Sequence, residues 1–145
     1  MSERTRNRAI SFSGLVSSCV FAAALLMPGC NNDDLDGVSE EHIAVAESYL
    51  EALNTLDEVL STIQNQSDAR DAVGKVESTV TEIADLHKQI AGMPPKSRRA
   101  VNQNFSGRFA FAKQKINHQA VRVLSQAETG RSLRAPLAPV ARYVR

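Results

Sequence analysis

The sequence predicts an all-α protein whose main domain is an antiparallel, up-down-up bundle of three helices. Apolar residues recur at spacings of three and four along three successive segments, which is the period of a helix with one buried face. Short polar or proline-containing stretches separate the segments, and short connections make successive helices antiparallel neighbours. We expect helices at about 39–64, 68–91 and 97–128 within a domain spanning 39–130. The alternative is a long helical hairpin that dimerises.

The first helix is predicted to begin at Ser39. A serine side chain can accept a hydrogen bond from a free backbone amide, and Glu40 and Glu41 place negative charge at the positive end of the helix dipole. The helix ends in the polar stretch Asn65-Gln66-Ser67. Its apolar stripe contains Ile43, Ala46, Tyr49, Leu50, Leu53, Leu56, Leu60 and Ile63.

The second helix is predicted to start at Ser67 or Asp68, because either side chain can cap it. Gly92 suits the position just past its end, and Pro94-Pro95 prevents continuation. Its stripe contains Ala69, Val73, Val76, Val80, Ile83, His87 and Ile90.

The third helix opens at Ser97, and Gly130 can terminate it. The remaining residues, 131–145, carry two prolines and four arginines, so we expect a basic tail that is partly disordered and holds at most one short turn. The helix stripe contains Val101, Phe105, Phe109, Ala112, Ile116, Ala120, Val123 and Ala127.

The first 30 residues have the pattern of a secretory signal. Three arginines among the first eight residues precede a mostly apolar run, 9–27, and Met27-Pro28-Gly29-Cys30 follows. A small residue before this cysteine resembles the lipobox of bacterial lipoproteins, in which the cysteine is lipidated and becomes the mature N-terminus. Two positions depart from that pattern, because Met27 stands where leucine is usual and Pro28 is an uncommon neighbour.

This resemblance implies a signal peptide at 1–29, lipidation at Cys30 and a flexible tether at 30–38. The mature chain would then face outward from the cell membrane or the outer membrane, held by its lipid. It would have 116 residues and no free thiol, and so no disulfide. The alternative is an uncleaved anchor helix, since the 19 residues of 9–27 approach the ~20 needed to cross a bilayer.

The mature part carries a weaker likeness. Tyr49-Leu50, Leu53, Met93-Pro94-Pro95 and Phe105 are similar in pattern to small helical lipoproteins of the cell envelope. That resemblance implies no activity and no functional residues.

The charges are divided along the chain. Residues 31–95 carry 14 acidic and 3 basic side chains, whereas residues 96–145 carry 1 acidic and 11 basic side chains. A basic half is typical of nucleic-acid binding, but an exported protein meets little nucleic acid. We therefore predict no nucleic-acid partner, and we expect the acidic helices to pack beside the basic helix in a monomer.

The residues that could carry chemistry do not form a known catalytic pattern. His42, His87 and His118 are scattered and have no metal-ligand spacing, so we predict no metal site. We expect His87 at the edge of the core, bonded to a backbone carbonyl or to a neighbour such as Asn102. The chain has no glycine-rich phosphate loop and no nucleophile elbow. The sequence therefore predicts neither an enzyme nor a cofactor.

Asp57 interrupts the apolar stripe of the first helix. A lone carboxylate there could be a catalytic acid. Counting residues back from each helix connection places Lys75 of the second helix level with Asp57, and Lys113 of the third helix level with Lys75. We favour a buried charged layer that fixes the helix register.

Phe111 lies off the apolar face of the third helix, among cationic residues. An exposed phenylalanine in this setting suits contact with a partner or an anionic surface, although a single exposed apolar residue is also ordinary. The candidate interaction surface consists of Phe111, Lys115, His118 and Arg122.

Two functions follow from these features. The first is a lipid-anchored protein with a structural or interaction role, docking on another envelope protein. The alternative is a module that binds an anionic envelope polymer or lipid head groups through the basic third helix and tail. They differ in salt response, because binding to a polyanion weakens steeply as salt rises.

Overall fold

A computed structural model describes residues 38–143 of the chain. Within this range the chain is helical and contains no strand, so the prediction of an all-α protein with packed helices is confirmed. The elements are α1 (Glu40–Thr62), α2 (Gln66–Gly92), α3 (Pro95–Ser125), α4 (Ala127–Leu137) and a final 3₁₀ turn (Val140–Arg142).

The predicted N-terminal features lie outside this range. The signal peptide, Cys30 and all of the tether except Val38 precede the described residues. Within the described part, no helix combines the length and the apolar character needed to cross a membrane.

The helix starts show how side chains replace missing backbone partners. Ser39 caps α1 by accepting a hydrogen bond from the backbone N–H of His42. Asn65 caps α2: its side-chain oxygen accepts from the amides of Ser67 and Asp68, and the Asp68 carboxylate accepts from the Asn65 amide. This reciprocal capping box starts α2 earlier than a cap at Ser67 or Asp68 would.

The start of α3 also differs from the predicted one. Pro95 is the first residue of α3 rather than part of the connection before it. Proline suits this position because the first amide of a helix has no helical partner and proline lacks that N–H. The Pro94-Pro95 pair therefore marks the end of α2 and begins α3.

The helices are arranged as the four corners of a bundle. α1 packs on α2 and α3, and α4 packs on the same two helices, so α1 and α4 occupy opposite corners. Tyr49 meets Phe109 edge to face, with ring centroids 5.0 Å apart, and Arg122 meets the C-terminal end of α1. α1 and α3 therefore run in the same direction. The largest side chains with almost no exposure are Leu53, Leu56, Leu60, Ile63, Val76, Val101, Ile116, Val123 and Leu133.

The C-terminal region differs from the prediction of a single third helix followed by a tail. Gln126 has an extended backbone, with φ −84° and ψ 123°, so α3 stops at Ser125 and the chain folds back as α4. This differs from the predicted third helix ending at about 128 and from the predicted partly disordered tail at 131–145. Instead, α4 has its own buried stripe, formed by Thr129, Gly130, Leu133, Pro136 and Leu137.

Thr129 and Gly130 allow α4 to lie close to α3. The Thr129 hydroxyl donates a hydrogen bond of 2.6 Å to the backbone carbonyl of Val123. A Cβ atom on Gly130 would lie 2.7 Å from the carbonyl oxygen of Leu124, closer than real side chains approach. Gly130 is thus buried inside α4 and serves close packing, whereas the sequence analysis assigned it to a helix end.

Candidate interaction surface

Phe111 is the most exposed large apolar side chain of the described region. Its side chain is 66% exposed, whereas Phe105 and Phe109 of the same helix are buried. The ammonium group of Lys115, one turn further along α3, lies 5.9 Å from the centroid of the Phe111 ring. A positive charge above the face of an aromatic ring is attracted to the ring, which is a cation–π interaction. Lys115 therefore helps to hold the Phe111 ring in position at the surface.

The Phe111 ring forms one wall of a cleft between α1 and α3. The cleft has a volume of about 270 Å³. The structure therefore brings together Phe111, Lys115 and His118 of the predicted surface and adds a carboxylate and two amides to them. We call this the Phe111 cleft, and its lining residues are Asp57, Phe111, Gln114, Lys115, His118 and Gln119.

Arg122, the fourth residue of the predicted surface, has a different position. Its guanidinium donates to the backbone carbonyls of Leu60, at 2.7 Å, and Ile63, at 2.9 Å, and also to the side chain of Gln119. The last carbonyls of a helix lack helical partners, and α1 has no basic residue in its last turn. Arg122 therefore caps α1 from a neighbouring helix.

Arg98 does the same for α2. Its guanidinium donates to the backbone carbonyl of Ala91 at 2.8 Å, and α2 also lacks a basic residue in its last turn. Sequence reasoning missed both roles. The missing cations at the ends of α1 and α2 were the available signal, because cations favour the negative end of a helix dipole.

Asp57 is buried, as predicted for a charge in the apolar face, but its partner is a different lysine. The Asp57 carboxylate lies 2.6 Å from the ammonium of Lys115, while its second oxygen is buried and has no hydrogen-bond partner among the described residues. Lys75 is exposed on α2, and Lys113 is half-buried without an ion pair in the described region.

The prediction of a charged layer formed by Asp57, Lys75 and Lys113 is therefore wrong about the two lysines, because Asp57 pairs with Lys115. The prediction fixed the register of the third helix by counting through the second. In the structure α3 packs directly on α1, and that contact sets which residues are level. The observed partner, Lys115, is only two residues from the predicted partner, Lys113. Those two residues place its ammonium group on the side of α3 that faces α1.

Lys113 borders a separate groove on α3. Burial of its ammonium, without a neighbouring carboxylate, lowers the pKa of Lys113 from its ordinary value. The groove has a volume of about 540 Å³, and its lining residues are Asn102, Ser106, Phe109, Ala110, Lys113, Gln114 and Asn117.

The three histidines lie in three different environments. His42 is within 2.8 Å of the Ser39 hydroxyl at the start of α1, and His118 lines the Phe111 cleft. His87 is exposed, and its ring lies near the rings of Tyr49 and Tyr143, with centroids 6.2 and 5.3 Å away. Within 38–143, no hydrogen bond joins His87 to Asn102 or to a backbone carbonyl, and no group of three potential metal ligands is found.

Tyr49 is the buried member of this aromatic group. Its hydroxyl lies inside the bundle and has no hydrogen-bond partner among residues 38–143. Burial, with a smaller contribution from Tyr143, raises the pKa of Tyr49 to about 12. The charged form of this side chain is therefore strongly disfavoured in the folded protein.

The divided charges do not neutralise each other inside the bundle. Residues 38–95 carry 11 acidic and 3 basic side chains, and residues 96–143 carry 1 acidic and 10 basic side chains. Within these residues, Asp57–Lys115 is the one ion pair that joins the two groups, because the other pair, Asp85–Lys88, lies within α2. The internal pairing on which the predicted monomer depended is thus limited to a single contact.

A scan against protein-family models and searches of curated proteins and of solved structures found no match to this chain.

Proposed function

We propose that this chain is a lipid-anchored protein of the bacterial cell envelope, whose helical domain docks on another envelope protein through the Phe111 cleft and carries out no catalysis. The anchor rests on the resemblance of residues 1–30 to a lipoprotein signal. The docking role rests on the surface described above.

The exposed Phe111 ring is the single observation that carries the docking role. Every other phenylalanine of the described region is buried, so Phe111 is the one that contributes nothing to the core. Interfaces commonly combine an aromatic anchor with a polar rim that excludes water around it. The glutamines, Lys115 and His118 supply such a rim around Phe111.

The state of Asp57 supports a binding role over a catalytic one. The side chain is 11% exposed and one of its oxygens is paired with Lys115 at 2.6 Å. A general acid or base must come within hydrogen-bond reach of a substrate proton. A carboxylate that is buried and ion-paired in this way is better placed to hold α3 against α1 than to meet a substrate.

Photocrosslinking in intact cells tests the docking role. A photoreactive phenylalanine analogue at position 114, in the wall of the cleft, should give one discrete crosslinked product with an envelope protein. The same analogue at the exposed position 82 on α2 should not give that product. Absence of a product from position 114, or the same product from both positions, would contradict the proposal.

A matched pair of serine variants shows whether Phe111 itself is responsible. Phe111 and Val121 are both exposed on α3, at 66% and 61%. In the chain that carries the crosslinker at 114, Phe111→Ser should abolish the product, whereas Val121→Ser should leave it unchanged. Equal effects of the two substitutions would show that the ring is not the anchor.

A further inference from the structure

Two opposite edges of the bundle have opposite charge. α1 and α2 are neighbours, α3 and α4 are neighbours, and α1 and α4 lie at opposite corners. The α1–α2 edge is therefore opposite the α3–α4 edge. The exposed carboxylates Glu47, Glu51, Glu58, Asp71 and Glu82 belong to α1 and α2, and we call their side of the bundle the acidic edge, although Lys75 lies in the groove beside Glu58 and Asp71. The exposed cations Lys96, Arg99, Arg131 and Arg134 and the half-buried Lys113 belong to α3 and α4, and we call their side the basic edge.

Within residues 38–143, the charged side chains of the two edges form no ion pair and cap no helix. The cations that cap helices or pair with a carboxylate are Arg98, Arg122, Lys115 and Lys88, and none of them belongs to the basic edge. Among the carboxylates, Asp57 and Asp85 form the ion pairs, and neither belongs to the acidic edge. Each edge therefore presents a field of one dominant sign to the solvent.

We infer that the partner of the basic edge is the acidic edge of a second copy of this chain. The acidic edge has five exposed carboxylates and the basic edge has five cations, so the two edges have comparable and opposite charge. Charge complementarity of this kind speeds association and fixes orientation. The helices of the acidic edge have 23 and 27 residues, about 35 to 40 Å in length, whereas α4 of the basic edge has 11 residues and is about 16 Å long, so the basic edge limits the area of contact.

The positions of the edges determine the kind of assembly. A two-fold contact places the same surface of both copies together, which here would oppose like charges. The contact must therefore be heterologous, with the acidic edge of one copy on the basic edge of the next. When two copies are bound in this way, the pair still has one unoccupied acidic edge and one unoccupied basic edge. Further copies can therefore add at both ends, and the assembly grows as a row instead of closing as a dimer. The Phe111 cleft lies between α1 and α3, and Gln114 borders both this cleft and the groove beside Lys113 of the basic edge.

Sedimentation velocity of the full chain in a neutral detergent tests this inference. At about 20 mM salt the weight-average mass should rise with protein concentration beyond that of a dimer, and at about 0.5 M salt it should fall to that of a monomer, because exposed charges are then screened. A chain that stays monomeric at low salt, or a mass that levels off at a dimer, would overturn the inference.

Neutral substitutions then assign the contact to the two edges. Glu47→Gln with Glu51→Gln, and separately Arg131→Gln with Arg134→Gln, should each weaken association about tenfold at low salt. Glu77→Gln is the control for Glu82→Gln, because both residues are exposed on α2 and their spacing of five places them about 140° apart around the helix. Glu82→Gln should weaken association at low salt and Glu77→Gln should leave it unchanged, and equal effects of the two would overturn the inference.

The competing occupant of the basic edge is an anionic lipid surface. Mixing phosphatidylglycerol into the neutral detergent distinguishes it from a second copy. A chain that is monomeric without this lipid, and that binds it through Arg131 and Arg134 only, would contradict self-association and assign the basic edge to lipid head groups. Self-association in the absence of the lipid, lost on changing either edge, supports the inference.

Discussion

The guanidinium of Arg122 on α3 donates hydrogen bonds to the backbone carbonyls of Leu60, in the last turn of α1, and of Ile63, the residue that follows α1, across about 60 residues of sequence. This contact places the C-terminal ends of α1 and α3 together. It also explains how α1 ends without a basic residue of its own.

We expect Arg122→Met to lower the free energy of unfolding by about 2 kcal/mol, because hydrogen bonds from a charged donor contribute roughly 1.5–3 kcal/mol and two carbonyls lose theirs. Arg99→Met is the control, since Arg99 is exposed on the same helix, and it should change stability by less than about 0.5 kcal/mol. Chemical denaturation measures both. Equal effects would show that the α1 cap contributes nothing.

The Asp57–Lys115 pair gives a second prediction. Lys115→Met should destabilise the fold by about 1–3 kcal/mol, since it leaves a buried carboxylate unpaired, although Lys115 is partly exposed and water can compensate in part. Asp57→Leu with Lys115→Met should cost less than the sum of the single changes by about 1 kcal/mol or more. A double-mutant cycle in thermal melts measures this coupling.

The control for that cycle is Asp57→Leu with Lys113→Met. Lys113 is two residues away on the same helix and has no ion pair with Asp57. We expect these two effects to add within about 0.5 kcal/mol. Coupling to Lys113 in place of Lys115 would restore the originally predicted layer and contradict the structure.

The third prediction compares two glycines within helices. Gly130→Ala should destabilise by about 1–3 kcal/mol, because the new methyl group would lie 2.7 Å from the Leu124 carbonyl oxygen and the helices would have to separate. Gly107→Ala meets no atom within 4 Å and should stabilise by up to about 1 kcal/mol, as alanine favours a helix over glycine. If both substitutions stabilise the protein, α4 does not pack on α3 as described.

The fourth prediction concerns alkaline pH. Burial raises the pKa of Tyr49 from 10.0 to about 12, so the folded chain keeps a proton that the unfolded chain releases. The corresponding stability is fully present below pH 10 and is lost as the pH rises through 12. Tyr49→Phe should therefore lose less stability than the parent chain between about pH 9 and about pH 11. Denaturation curves at the two pH values measure the difference, and parallel losses would contradict a buried, protonated Tyr49.

The helical class of the protein could be predicted from its apolar periodicity. Residues such as Leu53, Leu56 and Leu60 share one helical face, and that face is buried. The break at Gln126 could not be predicted in the same way. Neither proline nor glycine marks it, and the chain turns there because Thr129 and Gly130 fit against the carbonyls of Val123 and Leu124. Such a contact exists only after α4 has folded back.

The candidate site was predictable only in part. Phe111, Lys115 and His118 share a helical face, so spacing alone grouped them. The actual partner of Asp57 depends on which helix packs against α1, and chain order does not give this. Arg122 looked like a surface cation by its position on the helix, but it has carbonyl partners because α3 runs beside α1.

The central claim is that Cys30 carries a lipid and holds this helical domain on the envelope. The intact mass of the protein purified from membranes tests it most directly. We predict a chain that begins at Cys30 and carries lipid on that residue, and a Cys30→Ser variant that is neither lipidated nor cut between Gly29 and residue 30. A mature protein that retains Met1, or one that is cut elsewhere and carries no lipid, would contradict it.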